Sequence, residues 1–149
     1  MDTLDIGALQ ELLPHRYPFL LVDRIEVIEP ARRVVGYKRI TAGEWWMEGV
    51  VPSAGPVPAM PHTLVLEALA QTSGALVRDL LDGAEGALAY FMGADRVRLR
   101  APASVGEELT LDISLIKWRR GICRARGVAS VDGFTVVSAE LTTVVRATR

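Results

Sequence analysis

Residues 61–81 read PHTLVLEALAQTSGALVRDLL, and this stretch decides the fold. Its apolar residues recur on nearly every side of a helix, and Pro61 suits a first helical turn, where no N–H is needed. Asp82-Gly83 can cap the C-terminal end, so a helix is predicted over residues 61–81. A helix that is apolar on all sides has to be buried, so we expect the rest of the chain to wrap around it.

The segments on either side of this helix carry strand patterns. Residues 19–40 are rich in β-formers with a turn at Glu29-Pro30, and a short helix is predicted before them at 5–12. Arg120-Gly121 and Asp132-Gly133 are hairpin signals between successive strands. The four strands predicted after the helix cover residues 87–100, 107–118, 120–131 and 134–146. The pattern predicts an α+β fold, one helix wrapped by an antiparallel sheet, as a single domain over residues 1–149.

Composition narrows the class of protein. The 149 residues are 50% hydrophobic and carry a net charge of −1, which does not favour nucleic acid or an anionic membrane as a partner. The single cysteine, Cys123, excludes an intrachain disulfide. The first residues resemble no secretory signal, and no apolar run approaches the roughly 20 residues of a membrane span. We therefore expect a soluble, cytoplasmic protein.

Glu67 is the residue of the helix that packing alone does not explain. It lies within Leu-Val-Leu-Glu-Ala-Leu-Ala, where its neighbours are apolar. An unpaired buried carboxylate costs several kcal/mol, or its pKa rises. Such a residue is kept for a local hydrogen bond, a shared interface or chemistry, and the sequence pattern alone leaves these three open.

Five ordered motifs resemble the bacterial 3-hydroxyacyl-[acyl-carrier-protein] dehydratases of the FabZ type. They begin with LPHRYPFLLVDR at 13–24 and LEALAQ at 66–71, and continue with YFMGAD at 90–95, KWRRG at 117–121 and VASVDG at 128–133. The resemblance implies the hot-dog fold, a helix wrapped by an antiparallel sheet. It also implies a dimer, with active sites at the interface between two subunits.

The family's chemistry assigns Glu67 a role. A helix carboxylate, contributed across the dimer interface, orients the leaving 3-hydroxyl, and a loop histidine in a Gly-His-Phe-Pro motif supplies an imidazole. Backbone N–H groups at the start of the helix polarise the thioester carbonyl. By this resemblance Glu67 is the catalytic carboxylate. The predicted substrate-binding residues are Gly49, Val50, Pro61, Thr63, Tyr90, Phe91 and Gly93.

The chain departs from the family at the loop histidine. Where the family has Gly-His-Phe-Pro, this chain has Gly49-Val50-Val51-Pro52, and Val50 cannot take a proton. His62 brings an imidazole to the start of the helix and is the candidate for a relocated catalytic base. His15, in the first motif, is interpreted as structural. No residue cluster has the spacing of a metal site, and no cofactor is expected.

Basic residues after the helix suggest a docking surface. In the resembling family, such residues receive an acidic acyl carrier protein, whose phosphopantetheine arm carries the acyl chain. We expect the six to form one patch, with the strand arginines beside the following turn; an ordinary solvated strand face is the alternative. The six are Arg96, Arg98, Arg100, Lys117, Arg119 and Arg120.

Three functions are consistent with these residues. The first is a dehydratase of fatty acid or polyketide biosynthesis whose rearranged site uses Glu67 and His62. The second is a thioesterase or enoyl isomerase of the same fold that uses Glu67 alone. The third is a catalytically impaired subunit of a heterodimeric dehydratase. They differ in whether an imidazole reaches the C2 proton of the substrate.

Overall fold

The computed structural model describes residues 2–49, 55–81 and 87–147. Helix α2 spans His62–Leu80, with Pro61 as its N-cap and Leu81 as its C-cap, so the predicted helix is confirmed; Asp82-Gly83 lies outside the described residues. The other elements, in chain order, are β1 (Asp2–Leu4), α1 (Ile6–Leu12), β2 (Arg24–Glu29), β3 (Arg33–Arg39), a short 3-10 turn (Trp45–Met47), β4 (Ala87–Leu99), β5 (Glu108–Arg119), β6 (Ile122–Val131) and β7 (Phe134–Ala147).

The strands form one antiparallel sheet around α2. Its order is β1-β2-β3-β5-β6-β7-β4, and every neighbouring pair is antiparallel. Helix α2 packs against strands β2 to β7, and its residues Val65, Ala68, Leu69, Ala75 and Leu76 are fully buried. This is the predicted α+β hot-dog arrangement. Its hydrophobic core lies between the helix and the face of the sheet that packs against it.

A glycine in β3 allows the helix to lie close to the sheet. A Cβ atom on Gly36 would lie 2.5 Å from Oγ1 of Thr72, which itself donates a hydrogen bond of 2.8 Å to the Ala68 carbonyl. Any side chain at this position would push α2 away from β3. The helix can therefore approach the middle of the sheet because position 36 has no side chain.

The two predicted hairpins are present. Arg120 and Gly121 have φ of 51° and 75°, and Asp132 and Gly133 have φ of 48° and 82°. Two successive residues with positive φ form a type I′ turn, whose twist matches that of the strands it joins. These turns set β5, β6 and β7 side by side as a meander.

The long strand β4 lies at an edge of the sheet. It pairs with β7 on one side, and no strand of the described residues pairs with its other side. Six large apolar side chains of this strand are exposed: Leu88, Tyr90, Phe91, Met92, Val97 and Leu99. A 13-residue edge with exposed apolar side chains is unusual in a protein that remains monomeric.

Candidate active site

Glu67 faces a groove at the surface of the protein. The groove has a volume of about 890 Å³ and lies between α2, residues 10–16 and the beginning of β4. The Glu67 side chain is 29% exposed, so the carboxylate opens into the groove rather than being enclosed in the core. A partly exposed acid beside an apolar wall can contact a ligand directly, which explains why a carboxylate is tolerated on this helix.

Gln71 holds Glu67 and the first motif together. Its side-chain oxygen accepts a hydrogen bond of 2.9 Å from the N–H of Leu21, and its Nε2 donates to the carbonyl of Phe19 at 2.8 Å. The same Nε2 donates to Oε1 of Glu67 at 2.9 Å. Gln71 is 2% exposed, and its bond to Leu21 is buried, while those to Phe19 and Glu67 are partly buried. One buried amide therefore fixes both the carboxylate and the segment that follows His15.

His15 lies next to Glu67 in the same groove. Its Nε2 atom is 3.4 Å from Oε1 of Glu67, and its side chain is 33% exposed. Arg16 holds this turn by donating to the carbonyls of Leu13 and Gln10, at 2.8 and 2.9 Å. The interpretation of His15 as merely structural missed this contact. A histidine between proline and arginine, in a motif that otherwise leads into a buried strand, was the available signal.

His62, the predicted base, lies elsewhere. Its Nε2 is 2.8 Å from the carbonyl oxygen of Ala101, and its side chain does not line the groove. Five positions along a helix correspond to about 7.5 Å of rise and about 140° of rotation, so His62 and Glu67 face different directions. The structure does not bring these two predicted catalytic residues together within one copy of the chain.

The predicted substrate-binding residues also divide into some that line the groove and others that lie outside it. Tyr90 and Phe91 line the groove with Glu67, whereas Gly49, Pro61, Thr63 and Gly93 do not, and Val50 lies outside the described residues. Within the described ranges, the backbone N–H groups of His62 and Thr63 have no hydrogen-bond acceptor, as is usual for a first helical turn.

The six predicted basic residues form two groups rather than one patch. Arg96, Arg98 and Arg100 line a cavity of about 540 Å³ together with Arg126 and Glu140. Arg96 donates to Glu140 at 2.7 Å, and Arg124 donates to the same carboxylate at 2.8 Å. The hydrogen bond from Arg124, with the positive charges of both arginines, lowers the pKa of Glu140 below its usual value.

Lys117, Arg119 and Arg120 lie at the opposite end of the sheet. Arg119 pairs with Ile122, which pairs with Val144, whereas Arg98 pairs with Ser138. The step of six residues along β7 from position 138 to position 144 spans about 20 Å. The expected adjacency of the turn and the strand arginines is therefore wrong for one copy of the chain, because they lie at different levels of β7 and β5 is separated from β4 by two strands.

The strand arginines also do not alternate strictly. Arg96 has a φ of 49°, and the pairing register shifts between Asp95 and Arg98. A bulge at this point turns one residue out of the regular pleat. Arg100 lies just beyond the end of β4 at Leu99.

Cys123 is buried near the start of β6, where it pairs with Trp118 beside the β5–β6 hairpin. Its side chain is 2% exposed, and burial raises the pKa of its thiol to about 11. A protonated, inaccessible thiol is a poor nucleophile, and Cys123 does not line the groove.

Among the described residues, no group of three or more His, Cys, Asp or Glu side chains is arranged to hold a metal ion. No helix in the described ranges is long and apolar enough to cross a membrane.

The sequence is similar to a known domain family and to enzymes within it. The FabA-like domain family matches residues 13–140, which include Glu67, Gln71 and His15. The 3-hydroxyacyl-[acyl-carrier-protein] dehydratase FabZ of Syntrophotalea carbinolica is 43% identical over 142 residues, 95% of each chain. The enzyme of the same name from Bacillus subtilis is 43% identical over 139 residues, 93% of this chain and 96% of its own. The chain belongs to this family, among its FabZ-type dehydratases.

A solved structure supports the fold. The dehydratase heterocomplex ApeI:P from Xenorhabdus doucetiae superimposes with a TM-score of 0.71, covering 91% of this chain and 89% of that one. The sequence identity is 20%, so this likeness concerns the fold alone.

We expect Gln71→Leu to destabilise the protein by about 2–4 kcal/mol. Leucine has nearly the volume of glutamine but leaves the Leu21 N–H and the Phe19 carbonyl without their partner. Urea unfolding at a fixed protein concentration measures the loss. Ser73→Ala is the matched control on the same helix, because among the described residues the Ser73 hydroxyl bonds only to the Ala70 carbonyl one turn away. It should cost less than about 1 kcal/mol. Equal losses in the two variants would contradict the role given to Gln71.

Proposed function

We propose that this protein dehydrates 3-hydroxyacyl thioesters carried on an acyl carrier protein, with Glu67 as the catalytic helix carboxylate. The observation that carries the proposal is the placement of Glu67: it opens into the groove, and Gln71 holds one of its oxygens at 2.9 Å. The dehydratase relatives, 43% identical over nearly the whole chain, support the same reaction.

The reaction needs two proton transfers, one from C2 of the acyl chain and one to the hydroxyl oxygen on C3. A base removes a proton from C2, the electron pair of that C–H bond forms the C2=C3 double bond, and the C3–O bond breaks. The departing hydroxyl takes a proton from the carboxyl group of Glu67 and leaves as water. The N–H groups of His62 and Thr63 are proposed to stabilise the negative charge that develops on the thioester oxygen.

His62 is proposed as the base, acting on a substrate that also contacts Glu67 of a second copy. A carbonyl can only accept a hydrogen bond, so the neutral ring donates from Nε2 to Ala101, at 2.8 Å, and keeps its lone pair on Nδ1. A carbonyl that fixes the tautomer leaves the imidazole in the form that a base requires. Because His62 and Glu67 of one copy point apart, the second residue has to come from a partner.

A dimer along β4 would supply that partner. A second copy pairing antiparallel with the exposed edge would cover the apolar side chains of β4 and continue the sheet across the interface. The groove is bordered by the first residues of β4, Ala87 to Phe91, so the partner would also close its open side. This proposal unites the exposed edge and the open groove in one assembly.

The wild-type protein is therefore expected to sediment at about twice its monomer mass of 16.2 kDa at micromolar concentration. Met92→Lys should weaken the dimer at least about tenfold, because it places two like charges near the middle of the paired edges. Phe134→Lys is the matched control, since Phe134 is 74% exposed at the β6–β7 hairpin. It should leave the dimer unchanged. A wild-type monomer would contradict the assembly.

Mixing two inactive variants tests whether one site uses two chains. Glu67→Gln and His62→Ala should each lower turnover of a 3-hydroxyacyl thioester by about 10²–10⁴-fold. Their heterodimer retains one complete site if His62 and Glu67 come from different copies. Random mixing makes half the dimers mixed, with one of two sites intact, so about one quarter of wild-type activity should return.

The assay should follow both the enoyl product and free thiol, which separates dehydration from thioester hydrolysis. If each site used His62 and Glu67 of the same chain, mixing the two variants could not restore activity. No recovery, or full activity of His62→Ala alone, would remove His62 as the base. Full activity of Glu67→Gln would overturn the proposed function.

The carrier protein is proposed to dock on basic residues from both copies, in the cytoplasm as the sequence predicts. Antiparallel pairing of two β4 strands sets the beginning of one strand beside the end of the other. Lys117, Arg119 and Arg120 of one copy would then lie at the same end of the joined sheet as Arg96, Arg98 and Arg100 of its partner, about 19 Å away across four strand spacings. The dimer would thus present both groups to one carrier protein, which one copy does not.

Charge reversal tests this composite surface. Arg119→Glu and Arg98→Glu should each weaken binding of acyl carrier protein about tenfold or more and flatten its dependence on salt. Arg32→Glu is the control, an exposed reversal in the β2–β3 hairpin on the other side of the sheet, and should have little effect. Titration calorimetry at two ionic strengths measures all three. Loss in only one of the two test variants would show that the docking surface is not composite.

A further inference from the structure

The two oxygens of the Glu67 carboxylate have different surroundings. Oε1 is 2.9 Å from the Nε2 donor of Gln71 and 3.4 Å from Nε2 of His15. Within the described ranges, Oε2 receives no hydrogen bond. One oxygen is therefore held by the protein, and the other is available to a ligand in the groove.

The geometry of His15 excludes it as the base for the C2 proton. A gap of 3.4 Å between Nε2 and Oε1 leaves no room for a substrate atom between them, so Nε2 faces the carboxylate rather than the substrate. The other ring nitrogen, Nδ1, is buried, and no described residue bonds to it. Neither nitrogen can reach a reacting carbon.

The ring proton belongs on Nε2. A proton on Nδ1 would bury an unpaired N–H group, which proteins rarely tolerate. On Nε2 the same proton lies on the ring nitrogen that is 3.4 Å from Oε1 of Glu67. His15 can therefore serve as a second donor to this oxygen, beside Gln71.

Two separate anchors place the ring. Arg16 ties the turn to the end of α1 through the carbonyls of Leu13 and Gln10. Gln71 ties down the chain on the far side, at Phe19 and Leu21. A ring held from both sides can fix the orientation of the carboxylate that it contacts.

We infer that His15 is a positioning residue of the active site: its Nε2–H fixes Oε1 of Glu67, so that Oε2 is the oxygen that meets the leaving hydroxyl. The inference rests on the proposed dehydration. It gives a role to a side chain that takes part in neither proton transfer. In the proposed dimer, each site combines Glu67 of one copy with His62 of the other. His15 acts in the site to which its own chain contributes Glu67.

The first test compares two substitutions of His15. Glutamine places an amide N–H close to the position of Nε2 but cannot act as a base, whereas alanine removes the donor. His15→Ala should lower kcat about 10–100-fold and change KM by less than about threefold, because a misdirected carboxylate fails in the transition state. His15→Gln should stay within about fivefold of wild type. Comparable losses in both variants would overturn the inference.

The second test uses the mixed dimers. His15→Ala added to the His62→Ala chain, which supplies Glu67, should reduce the recovered activity 10–100-fold, about as in the homodimer. Added instead to the Glu67→Gln chain, whose carboxylate is already lost, it should reduce recovery by less than about twofold. General damage to the fold would lower both, and unfolding by urea checks that each chain is intact.

The outcomes separate the two proposals. A wild-type protein that does not dehydrate the thioester overturns the function and the inference with it. Wild-type activity that Glu67→Gln abolishes, but that His15→Ala leaves unchanged, overturns the inference alone. Equal losses from both placements in the mixed dimers also overturn it, because a positioning role confines the effect to the chain that supplies Glu67.

Discussion

The buried amide of Gln71 is the interaction on which the site depends. From the middle of α2 it bonds to the backbone of the first motif, about 50 residues earlier in the chain, and to the Glu67 carboxylate one turn before it on the same helix. An amide can do this because it donates and accepts at once, whereas a carboxylate only accepts and an ammonium only donates. The amide itself is buried, and losing a partner is costly for a buried polar group, so the site and the fold are stabilised by the same contacts.

Much of the fold followed from local signals in the sequence. The apolar residues at 61–81 predicted the helix because no exposed helix has that composition, and Asp132-Gly133 predicted a hairpin because few residue pairs accept two positive φ angles. Glu67 was identifiable as the functional residue because its charge conflicts with its neighbours. These features depend on residues within a few positions of one another.

The features that the sequence did not reveal depend on pairing and on distance. The separation of Arg98 from Arg119 follows from the register of β4, β6 and β7, which no single strand pattern contains. The contact between His15 and Glu67 joins residues 52 positions apart through the bonds of Gln71. The direction of His62 was partly foreseeable, since five positions on a helix already point two side chains apart. Its bond to Ala101 was not.

The burial of Cys123 gives the protein an internal indicator of opening. Thiol reagents react with the thiolate, and this cysteine lacks both ionisation and access while β6 remains between β5 and β7. Cys123 is the second residue of β6, beside the Arg120-Gly121 hairpin, so the thiol becomes reactive when this end of the sheet separates, and its rate of modification reports how often that happens. Since the chain has no other cysteine, the signal is free of background from any second thiol. Opening at this end of the sheet can thus be measured without adding a label site.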